Sequence, residues 1–270
     1  MSEAVRLTLP TFRAGEIDVP FTIAGMGELL SADTTWDHHA HPTHELLWNA
    51  RGVSTVTVGT RTWTVTNHDG LWVPAGVLHA GWAPAGTWYR TAHFAVNAVP
   101  SLSPTPVAVE ITPLLSHLLD RLDDQALTEA SRSLTEAMIL DVLKPSPDPL
   151  LVHVPSSELL HPIVEVLTAD PGDGRRLSDW SEALGVSTRT LTRTFQQETG
   201  LGFREWQARL RAQHAILLLD GGLTLLEVAG LTGYTSQSAF ADAFRRTTGV
   251  VPSRFLNETF HEKPSLSETH

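Results

Sequence analysis

Residues 229–252 read AGLTGYTSQSAFADAFRRTTGVVP, and residues 181–200 read SEALGVSTRTLTRTFQQETG. In both segments a small residue stands four positions before a glycine, and a serine or threonine follows that glycine within three positions. The small residue lets two helices cross closely, the glycine allows the turn between them, and the hydroxyl caps the second helix. The two segments therefore predict two helix-turn-helix units.

The sequence around these segments predicts a domain made only of helices. After residue 156, apolar residues recur at helical spacing, and glycines interrupt the pattern between the predicted helices. Thr224 and Glu227 have the spacing of a capping box, which marks the start of the helix before the second turn. We predict this all-α domain over residues 158–262, with a long helix at residues 203–219 joining the two units.

Three segments carry a family resemblance: residues 191–200 (LTRTFQQETG), 233–240 (GYTSQSAF) and 244–252 (FRRTTGVVP). Together they closely resemble the signature of the AraC/XylS family, and the resemblance extends from residue 158 to residue 255. It implies a sequence-specific, DNA-binding transcription regulator whose two recognition helices enter successive major grooves. It also implies an operator of double-stranded DNA, a homodimer and, if the protein is an activator, contact with RNA polymerase.

The same resemblance assigns the DNA contacts by position. The first recognition helix is residues 188–197, where Arg189 or Arg193 suits the O6 and N7 atoms of guanine, a contact worth about 1 to 3 kcal/mol of discrimination. The alternative is that some of these residues touch only phosphate or water. The residues assigned to DNA are Ser187, Arg189, Thr192, Arg193, Gln196, Ser236, Gln237, Ala239 and Arg245. The residues assigned to the core are Leu191, Phe195, Phe240 and Phe244.

One position departs from the family pattern. Asp242 stands where the family commonly has a basic residue. Because a carboxylate repels phosphate, we expect the second unit to contact the DNA backbone more weakly or in a different arrangement.

The first half of the chain has the pattern of an all-β domain. The alternating runs at residues 54–58 and 62–66, separated by a glycine-containing turn, predict a hairpin, and further short runs follow at near-regular spacing. We predict a small antiparallel barrel over residues 1–110. Helical spacing then predicts two helices at residues 113–122 and 127–143, and the resemblance makes residues 111–144 a dimerisation segment. The alternative is that their apolar stripe, Leu114, Leu118, Leu134, Met138 and Val142, packs only on its own barrel.

A cluster of histidines marks a candidate metal site in this domain. The spacing His39-x-His41-x-x-x-Glu45, and the later segment GLWVPAGVLH that ends at His79, resemble the two motifs of the cupin fold, a double-stranded β-helix. The resemblance predicts that His39, His41, Glu45 and His79 converge inside the barrel. Three imidazoles and a carboxylate suit one divalent metal ion. The ligand types alone do not determine whether that ion is Zn, Ni, Co, Mn or Fe.

Other interpretations of the cluster stay open. The histidines could form a solvated polar turn or be satisfied by hydrogen bonds alone, and His44 could compete as a ligand. His93 could face the same pocket, although a lone strand histidine is more often structural. One or two of the six tryptophans of this domain could line a pocket for a small organic effector.

Composition excludes several classes of protein. The absence of cysteine excludes disulfides and thiolate metal sites, and the net charge of −11 argues against a protein that coats nucleic acid nonspecifically. No apolar run approaches the roughly 18 residues that a membrane span needs, so we expect a soluble, cytoplasmic protein that binds no membrane. Three prolines within residues 145–149 predict a linker at residues 145–157.

Together these features predict an effector-responsive regulator, with the barrel sensing a divalent metal. The alternatives are a regulator that responds to a small organic ligand without metal, a barrel that is only a dimerisation scaffold, and a metal-dependent cupin enzyme. Attachment to a DNA-binding domain disfavours the last, and we expect no enzymatic activity.

Overall fold

The computed structural model describes residues 4–146 and 150–256, which form a sheet-rich N-terminal domain and a helical C-terminal domain. The N-terminal strands are β1 (Val5–Leu7), β2 (Ile23–Leu29), β3 (Thr34–His39), β4 (His44–Arg51), β5 (Ser54–Val58), β6 (Arg61–Val65), β7 (Asp69–Val73), β8 (His79–Ala83), β9 (Trp88–Phe94) and β10 (Val107–Glu110). The predicted hairpin is confirmed as β5 and β6, where Val56 pairs with Trp63 and both side chains are buried.

These strands form two sheets. One has the order β1-β3-β8-β5-β6-β11, with β11 (Leu151–His153), and the other has the order β10-β7-β4-β9-β2. Neighbouring strands are antiparallel except for β1, which runs parallel to β3. At the turn between β4 and β5, Gly52 has a φ of 88°, and a Cβ there would lie 2.8 Å from Oγ1 of Thr87. This turn therefore requires glycine.

Two helices cover one face of the second sheet. The two helices predicted after the barrel are present: α1 (Pro113–Arg121) is capped by Thr112, and α2 (Glu129–Val142) is capped by Thr128. Their inner side chains, Leu115 and Ile139 among them, pack against Trp72 and Phe94 of the sheet. Of the predicted stripe, Leu118 is buried and Val142 packs partly against this core, whereas Leu114, Leu134 and Met138 remain exposed.

The C-terminal domain consists of α3 (His161–Ala169), α4 (Leu177–Ala183), α5 (Thr188–Thr199), α6 (Phe203–Asp220), α7 (Leu225–Leu231), α8 (Gln237–Thr248) and a 3-10 helix (Pro252–Phe255). Helices α4 and α5 form one pair and α7 and α8 form a second, with a glycine of positive φ in each connection, Gly185 and Gly233. The predicted capping box of Thr224 and Glu227 is present at the start of α7. Residues 257–262 of the predicted domain lie outside the described residues.

Helix α6 joins two apolar cores. Trp206 packs in the core of the first pair with Leu191 and Phe195, whereas Ile216 packs in the core of the second pair with Phe240 and Phe244. The four residues that the sequence assigns to the core, Leu191, Phe195, Phe240 and Phe244, are buried as expected. None of the helices in the described part of the chain is long and apolar enough to cross a membrane.

The segment predicted as a linker contains a strand of the first sheet. Residues 147–149 lie outside the described residues, but Leu151–His153 pairs with the outer edge of β6. Nε1 of Trp206 donates a hydrogen bond of 2.7 Å to the carbonyl oxygen of His153, and Val53 of the sheet domain joins the apolar core around Phe240. The two domains are therefore in direct contact at this strand and at Val53.

Candidate functional site

Five polar side chains meet between the two sheets. His39 and His79 are paired on β3 and β8 of the first sheet, and Glu45 and His93 are paired on β4 and β9 of the second. His41 lies in the connection between β3 and β4. We call His39, His41, Glu45, His79 and His93 the histidine cluster. Alternate residues of a strand point to the same face of its sheet. The cluster residues on the strands lie on the inner faces of the two sheets, so both sheets contribute to it.

The four predicted metal ligands lie close together. Ligand atoms of His39, His41 and His79 are all within 4.8 Å of one another. Nε2 of His79 lies 3.2 Å from Oε2 of Glu45, and Nε2 of His41 lies 3.4 Å from the same oxygen. Donor atoms at these separations can reach a shared ion after small side-chain adjustments, since Zn–N bonds are about 2.0 to 2.1 Å long.

Backbone carbonyls hold two of the imidazoles in a defined tautomer. Nδ1 of His39 lies 2.7 Å from the carbonyl oxygen of Asp37, and Nδ1 of His79 lies 3.0 Å from that of Val77. Because a carbonyl oxygen only accepts, each Nδ1 carries the proton and donates it. In the neutral form of each ring the lone pair of Nε2 then faces the cluster, which is the orientation that metal-binding histidines usually have.

The carboxylate of Glu45 is the negative centre of the cluster. Burial opposes its ionisation, but contact with His79 and the charges of His41 and His93 outweigh burial and lower the pKa of Glu45 to about 2. Burial lowers the pKa of His41 to about 4 and also lowers that of His39, which leaves both imidazoles neutral near pH 7. Burial opposes protonation of His79 as well, but Glu45 outweighs it and raises the pKa of His79.

His93 is a member of the cluster that the sequence left undecided. Its Nε2 lies 3.9 Å from Oε1 of Glu45, and its ring centroid lies 4.9 Å from that of His41. Nδ1 of His93 is held on its other side by the hydroxyl of Thr43 at 3.0 Å. The pairing of β4 with β9 brings His93 here, and no local spacing in the sequence reports that pairing.

His44 does not face the cluster. Its Nδ1 accepts a hydrogen bond of 3.0 Å from the backbone N–H of Ala75, and its ring stacks on Trp72 at 5.4 Å. Because His44 precedes Glu45 on β4, the two side chains point to opposite faces of the sheet. The expectation that His44 could compete as a ligand is therefore wrong for this conformation.

Little space remains beside the cluster. The cavity lined by Trp36, His39, Val56, His79 and Tyr89 has a volume of about 10 Å³. Trp36 and Tyr89 stack at 4.8 Å across it. A volume of this size accommodates about one water molecule. Of the six tryptophans considered as pocket residues, Trp36 borders this cavity, and Trp48, Trp63 and Trp72 are buried in the core.

The residues that the sequence assigns to DNA are all solvent-exposed on the two helix pairs. Several of them also have structural partners. Ser187 and Ser236 cap α5 and α8, Oγ1 of Thr192 donates to the carbonyl oxygen of Thr188, and the amide of Gln196 donates to that of Gly200 at 2.7 Å. The guanidinium groups of Arg189 and Arg193 form no ion pair within the described ranges, so both are free to bind a ligand.

Comparison with known proteins agrees with this two-domain organisation. Residues 25–143 match a family model described as an AraC-like ligand binding domain, and residues 180–258 match one described as a helix-turn-helix domain. The HTH-type transcriptional regulator NimR of Escherichia coli K12 is 31% identical over 252 residues, which are 90% of this chain and 89% of NimR. The chain belongs to the AraC family of transcriptional regulators. It is a DNA-binding regulator with an N-terminal ligand-binding domain.

Two further proteins are similar to this AraC-family chain. The HTH-type transcriptional regulator RipA of Corynebacterium glutamicum is 32% identical over 217 residues, which cover 78% of this chain and 61% of RipA. The crystal structure of ToxT from Vibrio cholerae O395 covers 88% of this chain and 99% of ToxT, with 12% identity and a TM-score of 0.36.

Proposed function

We propose that this regulator senses a divalent metal ion through a cupin barrel and binds a specific operator through two helix-turn-helix units. The metal ligands would be His39, His41, Glu45 and His79. One observation carries the proposal: the buried oxygen Oε2 of Glu45 lies 3.2 Å from Nε2 of His79 and 3.4 Å from Nε2 of His41, and ligand atoms of His39, His41 and His79 lie within 4.8 Å of one another. A buried carboxylate is costly unless it is paired, and coordination of an ion would pair Glu45 with a full positive charge.

The chemistry of the donors fits a metal ion. Three imidazole nitrogens and one ionised carboxylate suit Zn, Ni, Co, Mn or Fe, and backbone carbonyls already set the tautomers of His39 and His79. When bound, the ion would supply a positive charge at the point where Glu45 concentrates negative charge. His93 is placed to add a fourth imidazole to this set.

An organic effector inside the barrel is the second candidate, and the observed space disfavours it. A ligand pocket for a drug-sized molecule has about 300 to 1,000 Å³. The cavity beside the histidine cluster has about 10 Å³, so an organic ligand would first have to displace Trp36 or Tyr89. The relatives are named as transcriptional regulators, and we propose a sensing rather than a catalytic role for the site.

The strand that carries Glu45 connects the site to the helical domain. Glu45 lies near the start of β4, and the turn after β4 carries Val53, which packs among the apolar residues of the second helix pair. A ligand that prefers one arrangement of β4 would therefore also bias the contact between the domains. Such a preference is what allosteric regulation requires.

The DNA-reading part of the proposal follows the residues assigned from sequence. Recognition helices α5 and α8 would enter successive major grooves, with Arg189 and Arg193 as the guanine readers. Exposed Leu114, Leu134 and Met138 lie on the outer side of α1 and α2, and we propose that they form the interface of a homodimer that works in the cytoplasm. If the protein is an activator, its remaining partner would be RNA polymerase.

The experiment that tests metal binding is elemental analysis of the untagged protein, purified without chelator. A His39→Ala/His79→Ala variant removes two predicted ligands, and His38→Ala removes an exposed neighbour as the matched control. We expect near-stoichiometric metal in the wild type and in His38→Ala, and loss of it in the folded double variant. Absence of metal from the wild type after incubation with each of the five ions would contradict the proposal.

A further inference from the structure

A cleft lined by four arginines lies between the two helix pairs. Arg175 and Arg176 precede α4, and Arg204 and Arg211 lie on α6; the cleft reaches Gly233 in the turn of the second pair and has a volume of about 640 Å³. We call it the arginine cleft. We propose that it binds the phosphodiester backbone of DNA between the two major grooves that α5 and α8 enter. This inference rests on the proposed mode of DNA binding and adds a site to it.

Two of the four arginines are anchored by the protein. Nε of Arg211 donates to the carbonyl oxygen of Pro171 at 2.8 Å, and its Nη2 donates to that of Asp173 at 3.0 Å. Arg175 forms an ion pair of 2.7 Å with Asp173, and its guanidinium lies 3.8 Å from the ring centroid of Trp180. These contacts fix the walls of the cleft, since both side chains lose most of their freedom.

The other two arginines are available. Arg176 and Arg204 are exposed, and neither guanidinium forms an ion pair within residues 4–146 and 150–256. Three carboxylates act on Arg175 here, and each has a partner. Asp173 is paired with Arg175, Asp179 accepts the backbone N–H of Arg176 at 2.8 Å, and Asp170 accepts that of Gly172 at 3.0 Å. The cleft therefore presents two unpaired guanidinium groups, which bind phosphate with two parallel hydrogen bonds.

The clustering of arginines in the cleft contrasts with the low net charge of the whole helical domain. Residues 158–256 contain ten arginines, no lysine and eleven acidic residues, so the domain has almost no net charge to attract DNA. Four of its ten arginines line one cleft. Affinity for the DNA backbone depends on such local clustering, because each phosphate contact releases condensed counterions.

The cleft lies where the two helix pairs meet. Gly172, just before the cleft, lies so close to the second pair that a Cβ on it would be 2.7 Å from the carbonyl oxygen of Leu231. The two pairs are thus held against each other at this point. Recognition helices in successive major grooves are separated by about 34 Å of duplex. In the proposed binding mode, the DNA backbone within this interval would pass the junction of the two units.

The start of α6 adds hydrogen-bond donors to the same cleft. Gly202 is the N-cap of this 18-residue helix and makes no side-chain cap. The first backbone N–H groups of the helix, next to Arg204, are therefore open to an anion. Together with the guanidinium groups of Arg176 and Arg204 they form a surface for phosphate oxygens rather than for base edges.

The test measures binding of the full chain to a random-sequence duplex of about 40 base pairs as a function of salt, since phosphate contacts are independent of sequence. Arg176→Ala/Arg204→Ala removes the two available guanidinium groups. Arg13→Ala/Arg61→Ala is the matched control, because it removes two exposed arginines of the sheet domain and changes net charge equally. Circular dichroism and the melting temperature of each variant establish that it is folded.

We expect the slope of log K against log salt to decrease in magnitude by about 1 to 2 in the cleft variant, since each lost phosphate contact contributes about 0.9. The control variant should keep the wild-type slope, and Arg176→Lys/Arg204→Lys should restore most of it. A wild-type slope in the folded cleft variant would overturn the inference while leaving DNA binding intact. A wild-type protein that bound no duplex at low salt would overturn the proposed DNA-binding mode and this inference with it.

Discussion

Nε2 of His79 lies 3.2 Å from Oε2 of Glu45, and both side chains are only 3% exposed. The two atoms come from different sheets, so this contact is also a bridge between β8 and β4. A buried carboxylate requires a partner that carries positive charge, either a protonated imidazole or a metal ion. An ion bound at this pair would therefore stabilise the folded protein.

Metal should stabilise the folded protein through this pair. Addition of Zn²⁺ to chelator-treated protein should raise its melting temperature, because a ligand at about 100 times its Kd adds roughly 2.7 kcal/mol to the free energy of unfolding. Glu45→Gln should reduce the shift, since the amide is neutral and a weaker ligand. Calorimetry measures both, and an equal shift in the wild type and in Glu45→Gln would place the ion elsewhere.

His93 should contribute to metal affinity. His93→Ala should weaken binding about tenfold, which is the lower end of the effect expected for residues that support or extend a ligand set. His44→Ala is the control, because His44 points away from the histidine cluster and should alter stability but not affinity. Competition with a fluorescent chelator gives the metal dissociation constant of each variant. A metal affinity in His93→Ala equal to that of the wild type would leave His93 with only a structural role.

The contact of Val53 with the helical domain should be required for the domain arrangement. Val53 is 3% exposed and packs with Phe240 and Phe244, so Val53→Asp buries a charge and should cost several kcal/mol at this interface. Val5→Asp, at an exposed position, serves as the control. Limited proteolysis between the two domains should become faster in Val53→Asp and stay at the wild-type rate in Val5→Asp. Equal cleavage rates in the wild type and in Val53→Asp would show that the arrangement of the two domains does not depend on this contact.

Arg189 and Arg193 should supply sequence discrimination. Replacing either with alanine should reduce the preference for an operator over random DNA by about 1 to 3 kcal/mol, if it reads a guanine. Arg209→Ala is the control, because Arg209 is paired with Glu205 on α6 at 3.3 Å. Operators are obtained by selection from a random duplex pool. Uniform loss of affinity for all sequences would indicate phosphate contact instead.

Much of the fold could be predicted because its signals are local. Caps such as Thr224 with Glu227, glycines such as Gly185 and Gly233, and helical periodicity located the two helix pairs. The spacing of His39, His41, Glu45 and His79 predicted a cluster that the two sheets bring together. Each of these patterns reflects backbone geometry over a few residues, which a single sequence reports directly.

The remaining features depend on contacts between distant segments. Strand β11 was not predicted, because three residues beside a proline-rich segment form a strand only where the edge of β6 is open to pair with them. The parallel pairing of β1 with β3 and the position of His93 opposite Glu45 likewise follow from strand order. The arginine cleft is formed by residues 175 to 211 and by a turn at Gly233, which no local spacing connects.

The measurement that tests the central claim most directly compares operator affinity of the full chain with and without its metal, in the wild type and in His39→Ala/His79→Ala. If the histidine cluster is the sensor, metal should change the operator Kd of the wild type by about 5- to 150-fold, the usual range of allosteric coupling, and leave the variant unchanged. An operator Kd that is the same for metal-free and metal-loaded wild-type protein would contradict the account. A ligand that binds two arrangements of a protein equally well does not shift the equilibrium between them.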